Sequence, residues 1–246
     1  PTLGPAYIAA VLEQCVYEVK ILDAIIEDVS CAVGKQLNSK MLRFGLDDQQ
    51  IEAAIHEFKP EVVGVSCVVS AKYYDAVNVC RIAKRANPEI ITVMGGAHPT
   101  MTVATTLEEP VLDYVVLGEA DFSTLGWIRW LEGRLDESEL DGVGTRRDGK
   151  VKVYPKKGFI DDLNKVPFPA RHLLHLERYW EVNLPHGEAT RSPWTTIITS
   201  RGCPAKCTYC SAGLLWGRKY RARSPENVLA EIGHLVDRYG IKELLI

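Results

Sequence analysis

The sequence lacks any apolar run approaching the ~20 residues that a membrane-spanning helix needs. No signal peptide is visible, in a chain that begins at Pro1 and that we expect to be cut from a longer one. A net charge of −3 argues against a general binder of nucleic acid or of anionic membranes. Seven cysteines, an odd number in a chain too long to need disulfides, indicate a reducing cytoplasm and cysteines used for metal or packing.

The sequence also lacks a GxGxxG motif after its first predicted strand, which disfavours a dinucleotide ligand. What it does have is an alternation of strands and helices, which predicts crossover units and a parallel sheet. We predict a doubly wound, Rossmann-like domain over roughly residues 1–135, with a first strand missing before Pro1. The predicted helices are 4–14, 47–58, 73–87, 99–109 and 122–132, and the predicted strands are 17–24, 61–70, 89–96 and 113–121.

Small and polar residues cluster where the predicted parallel strands end, at 66–70, 95–100 and 118–121. Ligands bind such sheets outside the carboxyl ends of the strands. Glycine lets a ligand approach the backbone closely, and hydroxyl groups supply hydrogen bonds. Taken alone, Gly95-Gly96 is also typical of a simple turn, and His98 before Pro99 is also typical of a helix start.

The middle of the chain, 136–193, is predicted to form a hairpin and a linker. The hairpin covers Leu140–Pro155 around Asp148-Gly149, a strong two-residue turn signal. His172 and His175 lie three residues apart in the linker, and exposed histidines are a more frequent interpretation of that spacing than a metal pair.

Three of the seven cysteines fall within eight residues, in the stretch SRGCPAKCTYCSAG. A predicted strand (194–203) precedes them. A predicted helix (222–240), with Ser224 as its N-cap, Pro225 in its first turn and Gly240 at its end, and a predicted strand (241–246) follow. Three thiolates on one loop can hold three irons of a cubane cluster and leave the fourth iron open, whereas electron-transfer clusters use four thiolates. Cys67 or Cys80 is an alternative source of a fourth ligand. Zinc is the main alternative metal, but it usually takes two CxxC-like pairs or added histidines, and no second pair exists.

The stretch CPAKCTYC resembles the CxxxCxxC motif of the radical S-adenosylmethionine (SAM) superfamily, including the aromatic residue before the last cysteine. The context SRGCPAKCTYCS…GRKYRARSPENVLAEI is similar to the subgroup that carries an N-terminal cobalamin-binding domain. PTLGPAYIAAVLE, GGAHPT and DYVVLGEAD resemble segments of that domain, so the resemblance covers nearly the whole chain.

The resemblance implies a 4Fe–4S cluster bound by Cys203, Cys207 and Cys210, with SAM on the open iron. Reductive cleavage of SAM would then generate a 5′-deoxyadenosyl radical, and in many relatives cobalamin supplies a methyl group. The expected cofactor-binding residues are Ser66, Ser70, Gly95, Gly96, His98, Thr100, Gly118, Glu119 and Tyr209.

The sequence departs from related cobalamin domains in lacking the DxHxxG motif whose histidine binds cobalt, so we assign no axial ligand. Asp121 stands where a second glutamate is expected, which we interpret as minor. The basic loop Trp216–Arg223 fits either a solvated loop or a site for the SAM carboxylate or an anionic substrate. A nucleic-acid partner is weakly supported on a net acidic chain.

We therefore predict a Rossmann-like domain (1–135), a hairpin and linker (136–193), and the start of a TIM-like β/α barrel (194–246). The expected function is a cobalamin-binding radical SAM enzyme that methylates an unactivated carbon. Its expected partners are a small-molecule substrate and a reductant such as flavodoxin or ferredoxin. A cyclase or rearrangement enzyme, and a non-catalytic zinc- or cobalamin-binding module, are the alternatives. We expect the chain as given not to turn over, because later barrel strands are absent.

Overall fold

A computed structural model describes residues 1–28, 35–38, 41–182 and 189–246. The described α-helices are α1 (Leu3–Glu13), α2 (Asp48–Phe58), α3 (Tyr73–Ala86), α4 (Ala97–Met101), α5 (Val103–Thr106), α6 (Asp121–Leu131), α7 (Leu176–Val182), α8 (Ala212–Leu215) and α9 (Pro225–Tyr239). The described strands are β1 (Lys35–Asn38), β2 (Met41–Arg43), β3 (Val62–Ser66), β4 (Ile91–Gly95), β5 (Tyr114–Val116), β6 (Val143–Arg147), β7 (Lys150–Tyr154), β8 (Trp194–Thr196), β9 (Ser200–Arg201), β10 (Arg221–Ala222) and β11 (Glu243–Leu245).

The chain divides into two compact units that do not follow sequence order. One unit comprises 1–47, 162–200 and 222–246, and the other comprises 48–161 and 201–221. The loop that carries the three cysteines (202–220, the cysteine loop) therefore falls in the same unit as β3, β4 and β5 of the predicted Rossmann-like domain. The domain boundaries at 135 and 193 stay a prediction.

The unit of 48–161 and 201–221 is built on a five-stranded sheet in the order β3-β4-β5-β6-β7. β3, β4 and β5 pair in parallel, whereas β6 and β7 pair antiparallel. Adjacent residues of β4 and of β5 point to opposite faces of the sheet and belong to two different hydrophobic core clusters. Met94 and Val115 lie in one cluster, and Val93 and Val116 lie in the other. Helices thus cover both faces of the sheet, which confirms the predicted Rossmann-like, doubly wound fold.

The predicted hairpin is confirmed as β6 and β7. Its turn residues Asp148 and Gly149 have φ values of 51° and 73°. Two consecutive left-handed residues are typical of a type I′ turn, whose twist matches that of the flanking strands. The hairpin adds two antiparallel strands to the edge of the parallel sheet. The sequence pattern did not predict this addition, because a hairpin pattern does not show which other strand the hairpin will pair with.

In the unit of 1–47, 162–200 and 222–246, β8, α9 and β11 form a β-α-β unit. β11 pairs in parallel with β8, with Glu243 opposite Trp194 and Leu245 opposite Thr196. This is the arrangement expected at the start of a β/α barrel. Helix α9 begins as its sequence predicts, because the Ser224 side chain accepts a hydrogen bond from the Asn227 N–H at 3.2 Å, and it ends at Gly240 with φ 62°.

The predicted strand at 17–24 is wrong, because the structure describes no strand in that segment. Val19 and Ile21 pack against the α1 residues Ala9 and Ala10 instead. Apolar residues at alternating positions can also pack against a helix. A segment forms a β-strand only when another strand hydrogen-bonds to it.

Of the described residues, no helix combines the length and apolar character of a membrane span.

Leu235 and Leu229 allow a test of α9 packing within one helix. Leu235 is 0% exposed, whereas Leu229 is 65% exposed. We expect Leu235→Ala to lower the free energy of unfolding by about 2–5 kcal/mol, because it removes buried methyl groups and leaves a cavity. Leu229→Ala should change it by no more than about 0.5 kcal/mol. Urea denaturation of both variants measures the difference, and equal losses would contradict this packing of α9.

Candidate functional site

The parallel register places the ends of three strands side by side. Ser66 at the end of β3 lies opposite Gly95 of β4, and Gly95 in turn lies opposite Val116 of β5. The segments that follow these strands carry most of the residues predicted to bind a cofactor. The structure thus brings together three stretches that are distant in the sequence, at the edge where parallel α/β sheets bind ligands.

Backbone contacts bind the first two of these segments tightly together. The Cys67 N–H donates to the Gly95 carbonyl at 2.8 Å, and the His98 N–H donates to the Cys67 carbonyl at 3.1 Å. Gly96 between them has a φ of 108°, and a Cβ at that position would lie 2.7 Å from the Cys67 carbonyl oxygen. Gly95-Gly96 is therefore more than a turn, because this close approach requires glycine at position 96.

Side chains join the same segments. His98 Nδ1 and Ser70 Oγ are 2.9 Å apart, and the His98 ring lies 4.4 Å from that of Tyr73, centroid to centroid. Thr100 Oγ1 donates to the Gly96 carbonyl at 2.7 Å and accepts from the Gly118 N–H at 3.0 Å. The hydroxyl of Thr100 thus connects the segment after β4 to the segment after β5.

Apolar side chains are exposed on the loop after β3. Val68 and Val69 are 62% and 58% exposed, and Ser66 and Ser70 on either side of them are also exposed. The sequence contains this pattern as SCVVS, but it gave no sign that both valines face solvent. Neighbouring exposed apolar and hydroxyl groups suit a large ligand with both apolar and polar parts.

The first and last residues of the cysteine loop lie close together, and we call this region the base of the loop. The Cys203 N–H donates to the Gly217 carbonyl at 3.1 Å. Gly202 has a φ of 87°, and a Cβ there would overlap the Lys219 carbonyl oxygen. Farther along, Arg218 donates to the Ala205 carbonyl at 2.7 Å. The two sides of the loop are therefore held together before the second and third cysteines.

The three cysteines of the motif differ in exposure. Cys203 is half-buried, whereas Cys207 and Cys210 are exposed, and all three are free thiols. Tyr209 between the last two is 92% exposed. Within the parts of the chain that are described, no three His, Cys, Asp or Glu side chains gather closely enough to hold a metal ion. The structure thus places the three thiols on one loop without bringing them together.

Two carboxylates at the end of β5 bind the two ends of this loop. Asp121 binds Arg201 through both oxygens, at 2.8 and 3.0 Å. Glu119 accepts from Arg221 at 2.8 Å and from Arg201 at 3.4 Å. All four side chains are buried. The cofactor-binding assignment of Glu119 stays a prediction, to which the structure adds these protein contacts.

Ion pairs of Arg221 and Arg223 correct both interpretations of the basic loop Trp216–Arg223. Arg221 lies in the buried network with Glu119, and Arg223 pairs with buried Glu231, so neither belongs to a solvated loop or is open to an anionic ligand. Only Arg218 and Lys219 of that group are exposed. A basic pattern in sequence does not reveal buried partners that lie far away along the chain.

Cys67 and Cys80, the alternative sources of a fourth ligand, are buried. Burial raises the pKa of the Cys67 thiol and raises that of Cys80 to about 12, because a thiolate is poorly solvated there. Cys80 is packed in the apolar core between β4, β5 and α3, so it suits packing and not metal binding. His172 and His175 bind different glutamates, Glu13 and Glu27, which favours the interpretation as exposed surface histidines.

The fold and this edge define a Rossmann-like ligand-binding domain followed by a cysteine loop. The family model of the B12 binding domain matches residues 1–124. Cytidylyl-2-hydroxyethylphosphonate methyltransferase of Streptomyces wedmorensis is 36% identical over 271 residues, with 99% of this chain and 50% of that protein covered. Anaerobic magnesium-protoporphyrin IX monomethyl ester cyclase of Rubrivivax gelatinosus is 33% identical over 201 residues, with 80% of this chain and 35% of that protein covered.

Among solved structures, the cobalamin-dependent S-adenosylmethionine radical enzyme OxsB, with aqua-cobalamin and S-adenosylmethionine bound, has the same fold. The TM-score is 0.74 at 19% identity, with 98% of this chain and 30% of that chain covered. The chain belongs to the family of B12 binding domains, as the resemblance of its first half predicts. It spans half or less of the length of the relatives it matches.

Thiol alkylation of the native, metal-free chain tests this description of the cysteines. At pH 8 we expect Cys207 and Cys210 to react first and Cys203 more slowly, because Cys203 is half-buried at the base of the loop. Cys67 and Cys80 should resist, because burial disfavours their thiolates. Mass spectrometry after timed iodoacetamide treatment measures each rate, and modification of Cys80 as fast as Cys207 would contradict the core placement of Cys80.

Proposed function

We propose that this chain holds a 4Fe–4S cluster and cobalamin in a radical SAM enzyme that methylates an unactivated carbon. The observation that carries the proposal is the cysteine loop: three free thiols, two of them exposed, on a loop whose ends are held by buried ion pairs. Such a loop offers thiol donors to a metal group while its base stays in place.

The donor set of the loop fits an iron–sulfur cluster. Cys203, Cys207 and Cys210 would bind three irons, and thiolate is the ligand that such clusters prefer. Bound there, the cluster would supply the electron for cleavage of SAM at its open iron. Tyr209, exposed next to Cys210, would lie beside this site and help to shield it from water.

The edge formed by the ends of β3, β4 and β5 fits cobalamin. Ser66, Ser70 and Thr100 supply hydroxyl groups for its polar parts, and His98 adds a ring nitrogen to the same surface. Gly95, Gly96 and Gly118 allow backbone and ligand to approach closely. Val68 and Val69 offer apolar surface to the large ring, and cobalamin bound there would supply the methyl group.

The substrate would be a small molecule, and a reductant such as flavodoxin or ferredoxin would supply electrons. A cyclase or rearrangement enzyme with the same cofactors is the second candidate, favoured by the 33% identity to a protein named as a cyclase. A non-catalytic zinc- or cobalamin-binding module is the candidate from another class, and metal analysis separates it from both enzymes.

Iron analysis after anaerobic reconstitution tests the cluster. We expect about four irons per chain and, on reduction, a paramagnetic cubane signal that SAM perturbs. Cys207→Ala should abolish the signal because it removes an iron ligand, and Cys203→Ala and Cys210→Ala should do the same. Cys15→Ala lies outside the loop and serves as the control that keeps it. Stoichiometric zinc without iron uptake would reject the enzyme and favour the zinc-binding module.

Cobalamin binding is tested at Gly96. We expect Gly96→Val to weaken binding by about tenfold or more, because a branched side chain would collide with the Cys67 carbonyl and displace the strand ends. Gly158→Val is the matched control in the same unit, since no atom lies within 4 Å of a Cβ there. Titration of both variants followed by cobalamin absorbance gives the affinities, with circular dichroism as the check on folding. Equal affinities in the two variants would place the ligand elsewhere.

A further inference from the structure

One carboxylate binds both ends of the cysteine loop. Arg201 stands just before the loop and Arg221 stands just after it. Glu119 Oε1 accepts from Arg201 at 3.4 Å, and Glu119 Oε2 accepts from Arg221 at 2.8 Å. Glu119 Oε2 also accepts from the Ile160 N–H at 2.9 Å. A single side chain from the end of β5 thus bridges two segments that lie 20 positions apart in the sequence.

The surrounding contacts make the base of the loop one connected structure. Arg221 also donates to the carbonyls of Ile160, at 2.6 Å, and of Trp216. The guanidinium of Arg201 lies 5.1 Å from the centre of the Trp216 ring. These contacts lie beside the hydrogen bond from the Cys203 N–H to the Gly217 carbonyl, so the first cysteine is attached to the part of the loop that Glu119 holds.

At the base of the cysteine loop, two buried carboxylates are matched by two buried guanidinium groups. Glu119 and Asp121 face Arg201 and Arg221, and all four side chains are at most 7% exposed. Asp121 contacts Arg201 alone of the two arginines, so it cannot replace Glu119 as the bridge. Neutralising Glu119 would leave Arg221 as a buried cation without its carboxylate partner, which strongly favours opening of the loop base.

We infer that Glu119 is a positioning residue that holds the two ends of the cysteine loop together and thereby places Cys203. Its role for a cluster rests on the proposed function, whereas its role in closing the loop base does not. The inference goes beyond cofactor binding by Glu119, because it assigns both carboxylate oxygens to protein donors.

The chain contains a matched control in Glu231. Glu231 is also fully buried and also bridges two arginines: it accepts from Arg171 at 2.6 Å and pairs with Arg223. Neither arginine belongs to the cysteine loop. Glu231→Gln therefore perturbs the same kind of buried ion pair without touching the loop base.

The first experiment measures iodoacetamide modification of Cys203 in the metal-free full chain. We expect Glu119→Gln to accelerate modification of Cys203 by roughly tenfold or more, because the loop base opens. Cys207 and Cys210, already exposed, should keep their rates, and Glu231→Gln should leave Cys203 at the wild-type rate. An unchanged Cys203 in Glu119→Gln would overturn the inference, as would an equal acceleration in Glu231→Gln.

Glu119→Asp covers the case in which Glu119→Gln unfolds and Cys80 reacts as well. It keeps the buried negative charge but sets the carboxylate back by one methylene from the two arginines that it bridges, so a faster modification of Cys203 is expected with Cys80 protected. If Cys203 keeps its wild-type rate in Glu119→Asp, the inference fails.

A second experiment uses the reconstituted chain and its paramagnetic resonance signal. We expect Glu119→Gln to change the g values of the reduced cluster, because one of its ligands is displaced, while Glu231→Gln keeps the wild-type g values. If the wild-type chain binds no iron, the proposed function fails, and the Cys203 rates still decide the inference. If it binds iron and Glu119→Gln keeps the wild-type g values, positioning of the cluster by Glu119 fails.

Discussion

The parallel pairing of β3, β4 and β5 is the constraint on which the rest of the candidate site depends. Parallel strands in one sheet end at the same edge, so Ser66, Gly95 and Val116 lie in register although they are 50 residues apart along the chain. The ligand edge follows from this register, because β3 is followed by an exposed apolar and hydroxyl segment and β4 and β5 are followed by segments that contain glycine. The close backbone approach of Gly96 to Cys67 and the bridging hydroxyl of Thr100 then lock the three segments together.

The same register sets the position of Glu119, which follows β5 directly. Burying a carboxylate is costly unless charged donors surround it, and Glu119 meets that condition only where Arg201 and Arg221 come together. Buried ion pairs of this kind contribute less to net stability than to a specific geometry. The network of Glu231 with Arg171 and Arg223 has the same chemistry in the other unit. In both places a glutamate selects one arrangement of two arginine-bearing segments.

The two ends of helix α9 were predictable because their signals are local: a serine cap, a proline in the first turn and a glycine at the end. The hairpin was predictable for the same reason, since Asp148-Gly149 dictates its own backbone geometry. The segment 17–24 was mispredicted because strand formation requires a partner, and its apolar residues pack on α1 instead. The basic residues Arg221 and Arg223 were misjudged because their carboxylate partners lie elsewhere in the sequence.

By itself the sequence determined the spacing of the three cysteines, the alternation of strands and helices, and the resemblance of its motifs to a known family. These features depend on residue types and short-range periodicity, which the printed order of residues contains in full. Only the tertiary structure decided that Val68 and Val69 are exposed, that Gly96 contacts Cys67, and that Glu119 joins both ends of the cysteine loop. Those facts depend on which distant segments meet, and strand register and charge burial settle that only once the whole chain has folded.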